Sequence, residues 1–364
     1  MKTATVGIAP LKPFVPLISS FIPRRTKLPV LETVKLRAGG GSLHLTATDL
    51  DRELSLRIGD PENRFSGCVS WSALRTALDA GSDAADFDPV DSRISYSGGC
   101  ALARFEEASE FPRFFWENRK GDPASLKIQA DFIAALADSQ PYASTDETRF
   151  VLNGYFVDVS RGYVVATDGR RLIRTDVNIP QMDPIDTEST VGFILPDHRW
   201  VKAKILRGVD GSLKLGRGHE HGGINSARFT FRIGPAVVQI STRLIEGRFP
   251  NYEQVLPDLN ALAHSVPLPK DKALMSGLRS RKDKSVLIHP KNGRSVASFH
   301  DGDGLLAEFP LSDSPSEAET CLRADFLRDA ISAGFGRLET IDDSSPAVCR
   351  DHRRLAIIMP MRKW

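Results

Sequence analysis

Three groups of residues in this sequence have types and spacing that bear on chemistry. The first is "GRGHEHGG" at 216–223, where His219, Glu220 and His221 are metal-ligand types. A His-x-His in a glycine-rich loop with no third ligand nearby has the composition of a solvated hairpin tip, and no metal is expected there. The second is the pair of carboxylates Asp49 and Asp168. Each follows Thr in a turn-like stretch, "ATDLDR" and "ATDGRR", so each is expected to cap its local backbone and not to act as an acid–base pair. The third is the set of phosphate and nucleophile motifs, which is empty: GxxxxGK[ST], GxSxG, HExxH and GxGxxG are all absent in a strand–helix setting. "AGGGS" (38–42) reads as a turn between two strands. A non-enzyme without cofactor is the expectation.

Charge is the chemistry that remains. The chain of 364 residues carries 48 basic and 46 acidic residues, so its net charge is only +2. The local distribution is uneven. "HRWVKAKILR" (198–207) holds Arg199, Lys202, Lys204 and Arg207 with no acid. "KDKALMSGLRSRKDK" (270–284) holds six basic residues, among them Arg279 and Arg281, against two acids. "PRRTKLP" (23–29) adds Arg24, Arg25 and Lys27. One such run is an ordinary solvated face, but basic bias at several corresponding places suits a surface that meets a polyanion. Aromatic residues do not interleave these runs, so contact with phosphates, independent of sequence, is expected over base stacking.

The elements that must position these residues are mostly strands, with short helical stretches between them. Helices are expected at roughly 11–22, 70–81, 129–139, 195–208, 270–281 and 323–334. Ser70 and Asp131 are placed to cap helices, and Gly81, Gly208 and Gly334 to end them. Pro13 and Pro16 should delay or distort the first helix. With 41% hydrophobic residues the chain reads as globular, and its length points to two or three domains. Four scattered cysteines suit a reducing cytoplasm, and the N-terminus shows no secretory pattern. No run is long enough to span a bilayer.

Internal similarity divides the chain into thirds. "LHLTATDLDREL" (43–54) matches "YVVATDGRRLIR" (163–174), and "SEFPRFFW" (109–116) matches "GRFPNYEQVLP" (247–257). A fainter third copy is expected at "SVASFHDGDGLLAEFPL" (295–311), with Met359-Pro360 standing where Phe-Pro stood. The chain ends in an apolar, adaptable "LAIIMPMRKW" that is odd for a free terminus.

"LPVLETVKLRAGGGSLHLTATDLDREL", "TRFVLNGYFVDVSRGYVVATDGRRL", "EGRFPNYEQVLP" and "IIMPMR" closely resemble the bacterial DNA sliding clamp, the beta subunit of DNA polymerase III. The resemblance runs in order along most of the chain and is faintest from about 258 to 320. It implies an α+β DNA clamp fold of three similar domains, 1–120, 121–257 and 258–364, each with two helices backed by antiparallel sheet. Two chains would join head to tail as a homodimeric ring around double-stranded DNA. The ring would slide without sequence specificity and tether the polymerase III catalytic subunit, a clamp loader and other proteins bearing a clamp-binding peptide, in the cytoplasm and away from membranes.

The same resemblance assigns residues. The partner-peptide groove takes Leu152, Thr167, Gly169, Arg170, Arg171 and Leu172, then Pro250 and Val255, then Ile357, Ile358, Met359, Pro360, Met361 and Arg362. Leu152 and Leu172 also suit a plain core role. DNA-facing positions are Arg24, Arg25, Lys27, Arg75 and Arg149, with Arg199, Lys202, Arg279 and Arg281 from the basic runs. The dimer joint pairs "ALARF" (101–105) with "GLLAEF" (304–309), using Arg104, Phe105, Leu306 and Glu308. Lys363 and Trp364 extend past the usual family ending, and the hairpin around 210–225 is enlarged. A clamp-like paralogue serving a repair polymerase, or replacing an inhibited primary clamp, is the alternative reading.

Overall fold

The computed structural model describes residues 3–59, 63–112, 125–179, 192–217, 224–281, 284–301, 304–317 and 319–362. His219, Glu220 and His221, and the terminal Lys363 and Trp364, lie outside the described residues. The chain forms two compact units, each built from two stretches: Met1–Ala137 with Asn178–Glu246, and Asp138–Val177 with Gly247–Trp364.

In the first unit, nine strands form one antiparallel sheet. Their order is Leu126–Ile128, Gly211–Arg217, Ile224–Ile233, Ala236–Arg243, Arg52–Gly59, Ser42–Thr48, Thr33–Ala38, Phe65–Ser70 and Phe105–Glu106. Alternation dictates its two faces. Val34, Leu36, Leu43, Leu45, Leu54 and Leu56 are fully buried, and their neighbours Lys35, Arg37, His44, Thr46, Ser55 and Arg57 point the other way. Helix α1 (Val15–Phe21) packs on the buried face, against Ser42–Thr48 and Arg52–Gly59. Pro13 falls in a 3₁₀ turn, Ala9–Phe14, and Pro16 in the first turn of α1, so the helix starts late as its prolines require. A smaller sheet, Ala4–Gly7, Ala84–Asp88, Arg93–Tyr96 and Gly99–Leu102, is backed by α2 (Trp71–Asp79).

The caps differ from expectation. The Ser70 hydroxyl accepts from the Arg104 N–H at 3.2 Å and makes no capping bond to α2. Helix α3 (Ala130–Ser139) begins with the Ala130 N–H donating to Asp210 Oδ1 at 2.9 Å; Asp131 lies inside the first turn. The helix expected at 195–208 is not formed. Strand Gly192–Pro196 runs into two 3₁₀ turns, Arg199–Lys202 and Lys204–Leu206, parted by an extended Ala203 (φ −64°, ψ 114°). Trp200, Val201, Ala203 and Leu206 are all buried. At about 100° per residue those four positions would cover an arc of about 220° on a helix, wider than one buried stripe, and the broken backbone buries them together.

In the second unit, seven strands lie in the order Gly154–Asp158, Tyr163–Thr167, Arg171–Asp176, Arg354–Ile358, Ala347–Arg350, Arg337–Thr340 and His264–Pro267. A second sheet runs Gly304–Ser312, Arg294–Asp301, Ser285–Lys291, Thr320–Arg323. Helices α4 (Lys272–Ser280) and α5 (Ala324–Ser332) pack on each other, α4 also on Gly304–Ser312 and α5 on Arg354–Ile358. Gly81, Gly208 and Gly334 have φ of +81°, +72° and +93°, the left-handed stops read from the sequence.

The two ATD turns share one construction. Thr48 Oγ1 donates to the Arg52 carbonyl at 2.6 Å, and Asp49 accepts from the Asp51 and Arg52 N–H groups and pairs with the Arg52 guanidinium at 2.9 Å. Thr167, Asp168, Arg170 and Arg171 repeat this, with Thr167 to Arg171 at 2.6 Å and Asp168 to Arg171 at 3.0 Å. The carboxylates cap turns, as the sequence indicated. The third equivalent is not at 295–311, which forms the hairpin Arg294–Asp301 and Gly304–Ser312. It is Asp351, accepting from the Arg353 and Arg354 N–H groups and paired with Arg354 at 2.7 Å. "DGRRL" and "DHRRL" carried that signal in plain view.

Candidate functional site

The proposed groove residues all fall in the second unit, where strand pairing brings the chain's two distant pieces together. Arg171 lies opposite Ile358 and Leu172 opposite Ile357. Past Ile358 the tail leaves the ladder but stays pinned. The Met359 N–H donates to the Arg170 carbonyl at 2.9 Å, and the Met361 N–H donates to the Cys321 carbonyl at 2.7 Å. Pro360, which has no N–H, falls between the two anchors. The tail is thus a fixed extended segment whose side chains Met359 (44% exposed) and Met361 (40%) face solvent.

A second apolar wall comes from 247–255. Phe249 stacks on Phe156 at 5.0 Å, and the Tyr252 hydroxyl donates to buried Asp158 at 3.0 Å. Those two anchors leave Pro250 and Val255 exposed. Gly247 (φ +128°) is tight against the 150–151 turn, since a Cβ there would sit 2.8 Å from Val151 Cγ1. Beside it Phe150 is 56% exposed, an apolar neighbour that sequence reasoning missed; an aromatic in the polar run "DETRFVL" was its signal.

The other groove candidates hold this surface from below. Leu152, Leu172, Ile357 and Ile358 are buried in the core. Arg171 is also buried: it pairs with Asp168 at 3.0 Å and Asp329 at 2.8 Å, donates to the Pro141 carbonyl, and lies over the rings of Tyr142 and Phe326. Those contacts make Arg171 a post that fixes the 167–171 turn. Gly169 and Arg170 are exposed at the turn's tip, and Thr167 closes its base. Arg362 is exposed at the end of the tail.

The cationic candidates scatter. In the first unit Arg24, Arg25 and Lys27 are exposed in the loop after α1, and Arg75 is tied to Asp79 on α2 at 3.2 Å. Arg199 and Lys202 are exposed on the 3₁₀ turn, Arg199 reaching the Ser20 carbonyl at 3.5 Å. In the second unit Arg279 is exposed at the end of α4, and Arg281 leans over the Phe299 ring at 5.3 Å. Arg149 lies by the groove residues: a Cβ on Gly169 would come within 2.8 Å of its Nη1. Behind the Arg199 turn, His198 is buried and neutral. Burial, then Arg52 and Arg199, pushes its pKa down to about 3, and its Nδ1 accepts from the Trp200 N–H.

The expected joint strand 101–105 is split. Gly99–Leu102 is the edge of the small sheet, with Leu102 87% exposed, and Phe105–Glu106 belongs to the nine-stranded sheet. Arg104 is the link, held by backbone bonds to Ser70, and Phe105 turns inward toward Phe87. Gly304–Ser312 is the edge of its sheet, with Leu305 and Leu306 about half exposed. Glu308 pairs with Lys291 of its own chain at 2.6 Å.

No family model matches this sequence. It is 30% identical over 258 residues to the beta sliding clamp of Pseudomonas aeruginosa, covering 68% of this chain and 65% of that one; the match thus spans just under two thirds of that relative. To the beta sliding clamp of Caulobacter vibrioides it is 26% identical over 92% of both chains. Among solved structures, the sliding clamp (DNA polymerase III subunit beta) of Bartonella birtlesii bound to griselimycin superposes over the full length of both chains, with a TM-score of 0.75 at 21% identity. The chain has the DNA clamp fold and resembles bacterial beta sliding clamps.

Proposed function

We propose that this chain is a non-catalytic processivity factor: two copies close head to tail into a ring that encircles duplex DNA, slides on it and tethers a polymerase. The observation that carries the reading is the pair of open sheet edges in a chain of this fold. Among the described residues, Gly99–Leu102 and Gly304–Ser312 each leave one side of the strand unpaired and expose leucines, a combination that a lone chain normally blunts or covers. Two different edges on one chain make a heterologous contact, and closure of such a contact gives a ring. The joint we propose is therefore shorter than residues 101–105 and rests on Leu102, Leu305 and Leu306, with Glu308 and Arg104 at its margins.

Topological linkage removes any need for tight grip. Exposed cations such as Arg24, Arg25, Lys27, Lys202 and Arg279 would contact phosphates loosely and without base readout, as sliding demands. The three-domain division at 120 and 257 belongs to this proposal, as does action on DNA in the bacterial cytoplasm. The surface made by Phe150, Pro250, Val255, Met359 and Met361 would take the apolar anchors of a partner peptide from a polymerase or loader. Methionines suit that task because they repack around different shapes. Tethering raises the polymerase's effective concentration at its template without any new chemistry.

The test is retention. In the presence of a clamp loader and ATP, the chain should run as a dimer and remain on closed circular DNA through gel filtration. Linearising the circle should release it. A chain that stays monomeric and never co-elutes with the circle defeats the reading.

A further inference from the structure

The nine-stranded sheet carries a feature that neither the ring nor the groove uses. On the face opposite its buried leucines, pairing sets Arg37 directly across from His44, and His44 directly across from Arg57. The next rung places Lys35 opposite Thr46, and Thr46 opposite Ser55. Arg64 joins from the rim, its stem resting 3.2 Å from where a Cβ on Gly39 (φ +134°) would be. Lys35, Arg37, His44, Thr46, Ser55 and Arg64 line an open basin of 810 Å³. Residues 38–42 form the turn the sequence suggested, and Gly39 and Gly40 edge the basin with backbone alone.

Lys35 and Arg37 on one strand and Arg57 two strands away flank the neutral His44 and Thr46 between them, so positive charge gathers on this face and favours a counter-charge. None of Lys35, Arg37, Arg57 and Arg64 forms an ion pair among the described residues. Two acids share this face, Glu106 across Cys68 on the Lys35 rung and Glu53 one rung beyond Ser55, and neither forms an ion pair with these four cations among the described residues. The His44 ring is held below its ordinary pKa by burial, then by Arg57 and Arg37, and its Nε2 meets the Ser42 hydroxyl at 2.9 Å. The lining's three cations (Lys35, Arg37 and Arg64), three hydroxyls (Thr46, Ser55 and Ser66) and one neutral imidazole make a recognition set for phosphate oxygens. The volume fits a ligand of several phosphate groups and exceeds what one small anion needs.

We infer that this basin is an anion site for a ligand bearing several phosphates, distinct from the surfaces assigned to duplex DNA and partner peptides. Its ligand is either a free polyphosphate or a stretch of single-stranded nucleic acid backbone. The measurement compares the full-length chain with R37Q/R64Q, using inorganic tripolyphosphate by calorimetry and a fluorescent twelve-residue oligothymidylate by anisotropy, at several salt concentrations. Loss of at least about tenfold in affinity is expected in the variant. For the oligothymidylate, removal of two cations should also flatten the slope of log K against log salt by about 1.4. Basin-dependent binding of tripolyphosphate, with displacement of the oligonucleotide, identifies a free polyphosphate; basin-dependent binding of the oligonucleotide alone identifies the strand. Identical affinities and slopes for the two proteins, or no binding of either probe at low salt, overturn the inference. Relief of like-charge repulsion should leave the variant's Tm unchanged or raised; if it falls, R64Q alone at the rim gives the same comparison outside the ladder.

Discussion

At the scale of single residues, burial and charge act in opposite senses on two groups of one sheet unit. His198 has a folded pKa of about 3 against 6.5 when unfolded. Its contribution is complete above pH 6.5 and is lost as pH falls toward 3, because only the unfolded chain takes up the proton; the loss approaches about 1.4 kcal/mol per pH unit within that window. Glu53 runs the other way. Its folded pKa, about 6, lies above its ordinary 4.5, so protonation between pH 6 and 4.5 favours the native state. H198L should therefore flatten the decline in urea-unfolding stability between pH 6.5 and 4.5; an unaltered slope counts against His198 as its source. Met359 and Met361 make the complementary case. Both are exposed, so M359A/M361S should weaken a clamp-binding peptide by about tenfold or more while moving Tm by little. Equal peptide affinity would remove the tail from the groove. Residue roles were the least legible part of the sequence: Arg171 is a neighbour of exposed groove positions, yet its burial depends on α5 and on 141–142, far away in the chain.

At the scale of elements, packing decides where local pattern does not. The strands were legible because Val34, Leu36, Leu43 and Leu45 alternate with polar residues, and the glycine stops because φ is a local matter. The 195–208 stretch was not, since its apolar spacing suits a broken segment pressed into a core and its charges imitate a helix face. Likewise "ALARF" reads as one strand, and only the bonds between Arg104 and Ser70 show that it crosses between sheets. Helix α4 illustrates close approach. A Cβ on Gly277 would enter the Phe309 ring, so Gly277→Ala should lower stability by about 1–3 kcal/mol although alanine favours helices. An increase in Tm for that variant would show that the ring moves freely.

At the scale of the whole molecule, the proposed ring rests on two sheet edges left open among the described residues. L102D/L306D puts charge on both, and light scattering should show a monomer with an unchanged circular dichroism spectrum. A dimer that survives both changes would place the joint elsewhere. The discontinuous make-up of the first unit also sets a clock. Strand Arg52–Gly59 sits mid-sheet, and its partner Ala236–Arg243 lies on the far side of the second unit's first stretch. A ribosome adding roughly 5–20 residues per second delivers that partner on the order of ten seconds or more after the strand emerges. Throughout that interval the strand has one unpaired side, so slower elongation prolongs its exposure and only quick synthesis or a chaperone keeps that side from finding another chain.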